Sequence, residues 1–474
     1  MELKTIIGLE IHIEMDTKSK MFSDAPVSFG ENPNTQVSVM DMGFPGSMPT
    51  VNKQAVIHAI RVAHALNMTI DDVLTFDRKN YFYSDLPKGY QITQYFRPIG
   101  KNGHLTFNFD GKYKIIHIEQ LHLEEDTCKQ IHINDSSYID YNRAGIPLLE
   151  IVTLPELSSG KEVRKFVETI RSLVVFLGAS KGKMEEGNIR VDLNISLWDT
   201  GTDYLGNKVE IKNLNSLSNI EKAVDYEVKR QKDTLLRGDV IEQETRRYDE
   251  IRNRTVKLRE KVDSIDYRYF AESNIPPIKL SDSFIKEAIE SSPELASAKY
   301  ERYLKLGLND YDANLLLENK DVSDYFEKGL ENGCKPKLLA NWINVEIQSI
   351  LKSKNNNITD LNVKSNELGH LITLIESKTI SNKQAKQLFY QSVNDGSSLT
   401  ELIKNECVSQ INDEAVILDY IKKSLDSNPQ LIIDYKNGKN KVVQFIIGLV
   451  MKNTQGKANP ELTNKLVIDE IKRR

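Results

Sequence analysis

The chain has 474 residues, of which 39% are hydrophobic and 28% are charged, and its formal net charge is −5. This composition excludes a fibrous or disordered protein and a general polyanion binder, and the length predicts roughly two to four domains. The charge is uneven, because residues 436–474 hold nine Lys and Arg against three Asp and Glu, a local charge of +6. That segment favours a nucleic-acid contact at the C-terminal end.

The three cysteines, Cys128, Cys334 and Cys407, are scattered and form no CxxC pair. Their spacing argues against a disulfide framework or a zinc knuckle and fits a reducing compartment. The longest apolar run, Val442 to Met451, is about half of the ~20 residues that a membrane-spanning helix needs. No signal-peptide segment precedes the first predicted strand. We therefore expect a cytoplasmic protein with a buried helix at the apolar run and no membrane contact.

The first element is a strand near the N-terminus, in which the odd positions from 7 to 15 are apolar. Glu10, His12 and Glu14 then share the opposite face, since side chains alternate along a strand. Two carboxylates around an imidazole are costly to bury without partners. Such a face suits a cleft that holds a cation or a polar substrate, although a solvated outer sheet face would look the same.

Residues 24–46 are rich in Gly and Pro, which predicts turns and no regular element. A helix is expected from about Asn52, a possible N-cap, to Leu66. The stretch from Phe76 to Tyr90 then interleaves aromatic residues with lysine and arginine around a Pro-Gly loop. Aromatic faces stack on unpaired bases while cations meet phosphate, but a tyrosine-rich hairpin packed for stability has the same composition.

A register change divides the strand that ends near Asp126. Apolar residues occupy even positions at Ile116 and Ile118 but odd positions at 121 and 123, which predicts a β-bulge near Glu119. Past the bulge, Glu124 lies on the polar face. A turn over residues 140–147 leads to a short strand, residues 148–152, that contains Glu150, and a helix is expected over about residues 161–177.

Two further strands alternate cleanly, over residues 189–197 and 209–212. Four alternating strands thus present acids or imidazole on their polar faces: Glu10 and His12, Glu124, Asp192, and Glu210. An amphipathic helix is expected over about residues 219–236, and Pro276-Pro277 marks a boundary. From about residue 281 the pattern is helical throughout, and the stretch Gly396 to Ser398 divides it into a middle and a C-terminal bundle.

Carboxylates on neighbouring strands lie ~5 Å apart, close enough to share hard cations, and Mg²⁺ takes one or two carboxylates with water and substrate phosphates. The alternative is a salt-bridged surface in which these acids pair with Arg190, Lys212 and Lys183. The chain contains no GxxxxGK[ST] and no GxGxxG after a strand. Residue chemistry therefore supports a metal–phosphate site beside a nucleic-acid surface, without specifying ATP.

Several long motifs resemble the GatB family, the GatB subunit of the tRNA-dependent amidotransferases. They are found at residues 7–14, 76–90, 121–126, 140–150, 183–194, 209–215 and 266–270, and shorter matches at 311–313, 340–342 and 456–460 extend the resemblance to nearly the whole chain.

The resemblance implies an α+β fold with three parts: a mixed or antiparallel-sheet cradle catalytic domain over residues 1–290, an all-α linker over 291–405, and an all-α tRNA-binding tail over 406–474. It implies ATP- and Mg²⁺-dependent phosphorylation of the side-chain carboxylate of Glu-tRNA(Gln) or Asp-tRNA(Asn). Ammonia from a partner glutaminase (amidase) subunit then displaces phosphate, and a small third subunit makes the assembly a heterotrimer.

The resemblance also assigns residues. The catalytic set is Glu10, His12, Glu124, Lys79 and Lys88. The metal ligands are Glu10, His12, Glu124, Glu125, Glu150, Asp192 and Glu210. The acceptor end of the tRNA is expected to meet Tyr81, Tyr83 and Tyr90.

One departure concerns zinc. Some family members carry cysteines where this chain has Ala25, Ser38 and Asp41, so we expect no zinc here. Two other functions remain open from the residues: a non-catalytic tRNA-binding scaffold and a metal-dependent phosphoesterase.

Overall fold

The computed structural model describes residues 2–201, 206–260, 266–354, 356–377, 379–409, 411, 413–437, 439, 441–454 and 457–474, so Gly456 of the last motif lies outside the described residues. The chain forms two compact units, residues 1–296 and 297–474. Sheets occur in the first unit, and the described part of the second is helical apart from an isolated bridge between Ile411 and Ala458. This confirms the α+β fold with an all-α C-terminal region.

The strands of the first unit are β1 (Leu3–Glu14), β2 (Thr69–Ile70), β3 (Val73–Leu74), β4 (Asp77–Asn80), β5 (Tyr90–Thr93), β6 (Gly100–Phe109), β7 (Lys112–Glu125), β8 (Lys129–Ile133), β9 (Ser136–Asp140), β10 (Pro147–Thr153), β11 (Ile189–Asp199), β12 (Val209–Leu214), β13 (Glu244–Asp249), β14 (Arg254–Glu260), β15 (Phe270–Ala271) and β16 (Ile278–Lys279). Its helices are α1 (Lys53–Ala65), α2 (Gly160–Phe176), α3 (Leu217–Leu236) and α4 (Asp282–Glu290).

The main sheet has the strand order β14-β13-β12-β11-β1-β10-β7-β6-β2. It is mixed, because β12 and β13 run parallel while the other neighbours run antiparallel. Its central strand, β1, buries Ile7, Leu9, Ile11 and Ile13 in one core together with apolar residues of α1, α2 and α3. The helices therefore cover the odd face of β1 and leave the even face for polar side chains.

The predicted bulge is present in β7. Val152 pairs with Gln120 and Thr153 pairs with Ile118, so the register shifts at Glu119. On either side of the shift the buried residues change from even positions to odd ones. As a result Glu124 lies on the same sheet face as the polar residues of β1.

Two smaller sheets flank the main one. Strands β15, β4 and β5 form one, and β16 pairs with β3 in the other. The predicted tyrosine-rich hairpin is thus the β4–β5 pair, extended by a strand from residues 270–271. A Gln91 side chain donates to the Glu125 carbonyl and the side-chain oxygen of Gln94 accepts from Leu123 N–H, which fixes this small sheet beside β7.

The second unit contains α5 (Ala296–Lys305), α6 (Asp310–Leu317), α7 (Lys320–Glu331), α8 (Pro336–Asn341), a π-helical segment (Trp342–Ile347), α9 (Gln348–Lys354), α10 (Ser365–Glu376), α11 (Asn382–Asp395), α12 (Leu399–Ser409), α13 (Glu414–Asp426), α14 (Gln430–Lys436), α15 (Lys441–Asn453) and α16 (Pro460–Arg473). It holds two hydrophobic clusters, one within residues 303–403 and one within residues 417–471.

Most predicted helices match. Asn52 caps α1 by accepting from Gln54 N–H and Ala55 N–H, and Gly396 ends α11 with a left-handed φ of 76°. Pro276-Pro277 lies inside the first unit, because β16 and α4 follow it there. The three-domain limits at 290 and 405 stay a prediction. Among the described helices, none combines the length and apolar character needed to cross a membrane.

A buried ion pair ties the turn-rich segment after β1 to the rest of the unit. Lys20 Nζ lies 3.1 Å from Asp41 Oδ2, and both side chains are almost fully buried. Asp41 also accepts from Ser23 Oγ and Ser38 N–H, while Lys20 donates to the Tyr141 carbonyl. Two of the positions where relatives carry cysteines, 38 and 41, therefore belong to this ion pair and its hydrogen bonds.

Replacing Lys20 with Met should lower the free energy of unfolding by about 3 kcal/mol, because Asp41 is left as an uncompensated buried charge. Urea unfolding of the full chain measures this loss. Lys18→Met is the matched control, since Lys18 is exposed. Equal midpoints for the two variants would contradict a structural role for the pair.

Candidate metal and phosphate site

The even face of the main sheet carries a row of four directly opposed residues. His122 on β7 faces Glu150 on β10, Glu150 faces His12 on β1, and His12 faces Arg190 on β11. Glu124 lies one pair further along β7. His12 Nε2 is 3.5 Å from Glu150 Oε2 and 3.6 Å from Glu124 Oε1, and His122 Nε2 is 2.8 Å from Glu150.

These groups shift one another's protonation. Burial alone would lower the pKa of His12, but Glu150 and Glu124 raise it to about 9. The same balance raises the pKa of His122 to about 10. Burial would raise the pKa of Glu150, but the two imidazoles hold it well below its usual range. Without another cation, the protonated imidazoles compensate the buried carboxylates.

A second acid group lies beside the first, on β1, β11 and β12. Ligand atoms of Glu10, Asp192 and Glu210 lie within 4.8 Å of one another, and the same holds for His12, Glu124 and Glu150. Burial raises the pKa of Glu10, and the neighbouring Glu150 and Asp192 raise it further. Negative charge is therefore crowded at this end of the face, as expected where a cation belongs.

The second group is held by fixed donors. Asn194 Nδ2 donates to Glu10 Oε1 at 3.0 Å, the backbone N–H of Asn213 donates to Asp192 Oδ1 at 2.9 Å, and Thr245 Oγ1 donates to Glu210 Oε2 at 2.9 Å. Lys212 Nζ lies 3.0 Å from Asp192 Oδ2 and 2.9 Å from Glu210 Oε1. The salt-bridged alternative is thus correct for Lys212, which pairs with two of the predicted ligands.

Arginines at the other end of the face share one carboxylate. Arg143 donates twice to Asp126, at 2.6 and 3.0 Å, and Arg190 Nη2 donates to it at 2.8 Å. Burial alone would raise the pKa of Asp126, but Arg190 and Arg143 hold it below its usual range. Arg190 therefore pairs with Asp126, and Lys183 pairs with Glu186, so neither neutralises the predicted ligands.

Glu125 lies apart from both acid groups. It follows Glu124 directly, so its side chain leaves the opposite side of the strand, where it accepts from Lys88 Nζ at 2.7 Å and from Ile92 N–H at 3.0 Å. The structure thus joins two predicted residues, Glu125 and Lys88, in a buried ion pair away from the other acids. Their roles as ligand and catalyst stay predictions.

Lys79 projects from the small sheet toward the first acid group. Burial lowers its pKa, but Glu124 and other nearby groups outweigh this, so that the pKa lies above its usual value. Its Nζ lies 4.9 Å from the ring centre of Tyr267 and 6.0 Å from that of Tyr81. In the part of the chain that the structure describes, no carboxylate reaches ion-pair distance of this ammonium.

The aromatic residues form a connected set around Lys79. Tyr81 meets Tyr267, Tyr267 meets Tyr269, and Tyr269 stacks on Tyr95 with ring centres 3.8 Å apart and planes 6° apart. Of the predicted acceptor-end residues, Tyr81 belongs to this set. The other two lie elsewhere, because Tyr90 stacks on the Arg78 guanidinium at 4.1 Å and Tyr83 is exposed.

Comparison with known proteins identifies the family. Residues 5–286 match a family described as the GatB/GatE catalytic domain, and residues 324–471 match one described as the GatB domain. Proteins of Geobacillus thermodenitrificans, Bacillus thuringiensis and Bacillus cereus, all named as the B-type subunit of aspartyl/glutamyl-tRNA(Asn/Gln) amidotransferase, are each 44% identical to this chain over the full length of both. The chain belongs to the GatB family. This confirms the resemblance read from the motifs.

Within this GatB chain the structure gathers six of the seven predicted ligands into two groups on one face, and the seventh is Glu125. Sequence reasoning missed His122, Lys212 and Asn194 as site residues. Each lies on the polar phase of an alternating strand, so the pattern that selected Glu124 could have found His122. Tyr95, Tyr267 and Tyr269 were missed because their contacts join segments far apart in the chain.

Replacing Asp126 with Asn should destabilise the chain by about 2 kcal/mol, because two partly buried guanidiniums lose their shared charged acceptor. Thermal unfolding of the full chain checks this. The control is Asp233→Asn on the exposed side of α3. A melting temperature equal to that of the control would mean that Asp126 does not hold the two arginines.

Proposed function

We propose that this chain is the ATP- and Mg²⁺-dependent subunit of a tRNA-dependent amidotransferase, which phosphorylates the side-chain carboxylate of Glu-tRNA(Gln) or Asp-tRNA(Asn) and replaces the phosphate with ammonia. The observation that carries this proposal is the pair of acid groups on one sheet face. Full-length similarity to proteins named for this activity supports it.

The donor set fits Mg²⁺. Five carboxylates and one imidazole converge in two neighbouring groups, and oxygen-rich sites of this kind suit hard divalent cations. Glu10, Asp192 and Glu210 would hold one ion, and Glu124 and Glu150 with His12 would hold another. The chemistry that a bound Mg²⁺ supplies is neutralisation of charge on the phosphates during transfer.

A cavity beside Glu10 suits the nucleotide. It has a volume of about 450 Å³ and is lined by Gly8, Glu10, Asn194, Lys208 and other residues of β1, β10 and β11. Cavities of this size hold small ligands, and Glu10 and Asn194 belong both to its wall and to the second acid group. We place ATP here, with its phosphates toward the acids.

The reaction itself needs positioning more than covalent help from the protein. A side-chain carboxylate oxygen of the substrate attacks the γ-phosphorus and ADP leaves; ammonia then attacks the acyl carbon, phosphate leaves and the nitrogen loses a proton. Lys79 is suited to hold the substrate carboxylate, because its raised pKa keeps it charged and it lies beside Glu124 and Glu150. Holding the reacting groups in line supplies much of the rate enhancement.

The acceptor end of the tRNA is proposed to lie over the aromatic set around Lys79. Tyr95 and the neighbouring Phe96 are more than half exposed, and the stacked pair of Tyr95 and Tyr269 offers a flat face. Base stacking on such faces tolerates any sequence. This surface leads from solvent to the first acid group, since Tyr269 lies near enough to Glu150 to feel its charge.

Partners follow from the same proposal. Ammonia comes from a partner glutaminase (amidase) subunit, a small third subunit makes the assembly a heterotrimer, and the basic segment 436–474 contacts the tRNA. The domain limits at 290 and 405 separate the cradle, linker and tail. We place the complex in the cytoplasm, which agrees with the buried free thiols of Cys128 and Cys334.

The decisive experiment measures ADP release by the assembled complex with Glu-tRNA(Gln) and with uncharged tRNA. Wild type should release ADP only with the charged tRNA, and Glu124→Ala should lower the rate by about 100-fold or more. Glu168→Ala is the control, since Glu168 pairs with Lys165 at the surface of α2.

Full ADP release by Glu124→Ala would place the metal site elsewhere. Binding of tRNA without any ADP release by wild type would indicate a scaffold subunit. Phosphate-ester hydrolysis without ATP or charged tRNA would indicate a phosphoesterase.

The nucleotide cavity has its own test at Gly8. A Cβ there meets Pro155 at an ordinary 3.5 Å, so Gly8→Ala should fold normally, whereas the larger Gly8→Val fills the cavity. We expect Gly8→Val to raise the KM for ATP by about tenfold, the discrimination typical of one or two misplaced methyl groups. An unchanged KM for ATP with an unchanged melting temperature would move the nucleotide to another place.

A further inference from the structure

The second acid group already contains a cation of the chain itself. Glu10, Asp192 and Glu210 each use one oxygen to accept from a fixed donor: Asn194, the backbone of Asn213, and Thr245. The other oxygens of Asp192 and Glu210 both face the Lys212 ammonium, at 3.0 and 2.9 Å. Lys212 thus occupies the place between two carboxylate oxygens where a divalent ion would bind.

We propose that Lys212 is the resident counter-ion of this group, and that it exchanges places with the divalent ion and then binds the phosphates of the nucleotide. The proposal rests on the ATP-dependent function proposed above.

Competition follows from charge and space. Three carboxylates and one ammonium carry two net negative charges, which one divalent cation neutralises. An ammonium and a divalent ion cannot both lie within 3 Å of the same two oxygens, because they would repel each other strongly at such a separation. The Lys212 side chain is 31% exposed, so it has an open side toward which it can turn.

The phosphates are the natural second partner for the displaced ammonium. The nucleotide cavity borders the same acid group through Glu10 and Asn194, so phosphates directed at the acids arrive next to Lys212. A lysine ammonium is a compact point charge that binds phosphate oxygens well. Before the nucleotide binds, the same ammonium keeps the crowded carboxylates apart in a folded site.

The proposal requires two binding constants to change in opposite directions in Lys212→Met. Binding of Mn²⁺ alone to the full chain, followed by electron paramagnetic resonance, should tighten on the order of fivefold, because the competing charge is gone. Binding of ADP at saturating Mg²⁺, measured by calorimetry, should weaken by about tenfold or more, because the phosphates lose a charged partner.

Two further variants separate this role from a structural one. Lys212→Arg keeps the positive charge and should bind Mn²⁺ as wild type does. Lys165→Met removes a lysine paired at the surface of α2 and should change neither constant. Thermal unfolding confirms that each variant is folded.

Weaker or unchanged Mn²⁺ binding by Lys212→Met would overturn the counter-ion role. Tighter Mn²⁺ binding with unchanged ADP affinity would overturn the phosphate role. Both measurements use the chain without tRNA, so a failure of charged-tRNA-dependent ADP release in wild type would refute the proposed function separately.

Discussion

The alternation of β1 is the constraint on which the rest of the structure depends. Its odd residues lie at the centre of the largest hydrophobic core, and they fix the register of the strand against α1, α2 and α3. Once that register is fixed, Glu10, His12 and Glu14 have only the other face. Burying so much charge on one face is costly unless cations or hydrogen-bond donors meet it. The imidazoles, the guanidiniums and Lys212 supply these in the protein alone.

Much of the main sheet could be predicted because it depends on local alternation. The phases of β1 and β11, and the change of phase in β7, are visible in the sequence and are confirmed by the pairing. The pairing also explains why residues far apart in sequence, such as His12 and Glu150, share the site. Which strand neighbours which cannot be read from alternation, so the resemblance to a family was needed to connect them.

What the sequence could not supply are contacts set by tertiary packing. Glu124 and Glu125 look equivalent as neighbouring acids, yet one lies on the site face and the other pairs with Lys88. The aromatic set likewise joins Tyr81, Tyr95 and Tyr269 through the pairing of β15 with β4, and β15 has only two residues. Elements this short leave no periodic signal.

Support for the second acid group extends beyond the sheet face. Glu227 of α3 is fully buried and accepts from Arg230, Gln231 and Thr255, which fastens the helix to β14. Thr245, on the neighbouring β13, holds Glu210. A metal or phosphate site needs ligands fixed to within fractions of an ångström, and buried networks of this kind provide that rigidity.

The bulge in β7 has a consequence for how this gene can vary over evolutionary time. On the N-terminal side of Glu119 the even residues face the core, and on the other side the odd residues do. Loss of a single codon at the bulge would join the two halves in one phase and exchange the faces of His122 and Glu124 with those of Leu121 and Leu123. Loops of this chain can lengthen or shorten, but the spacing between residues 118 and 121 is expected to tolerate neither insertion nor deletion.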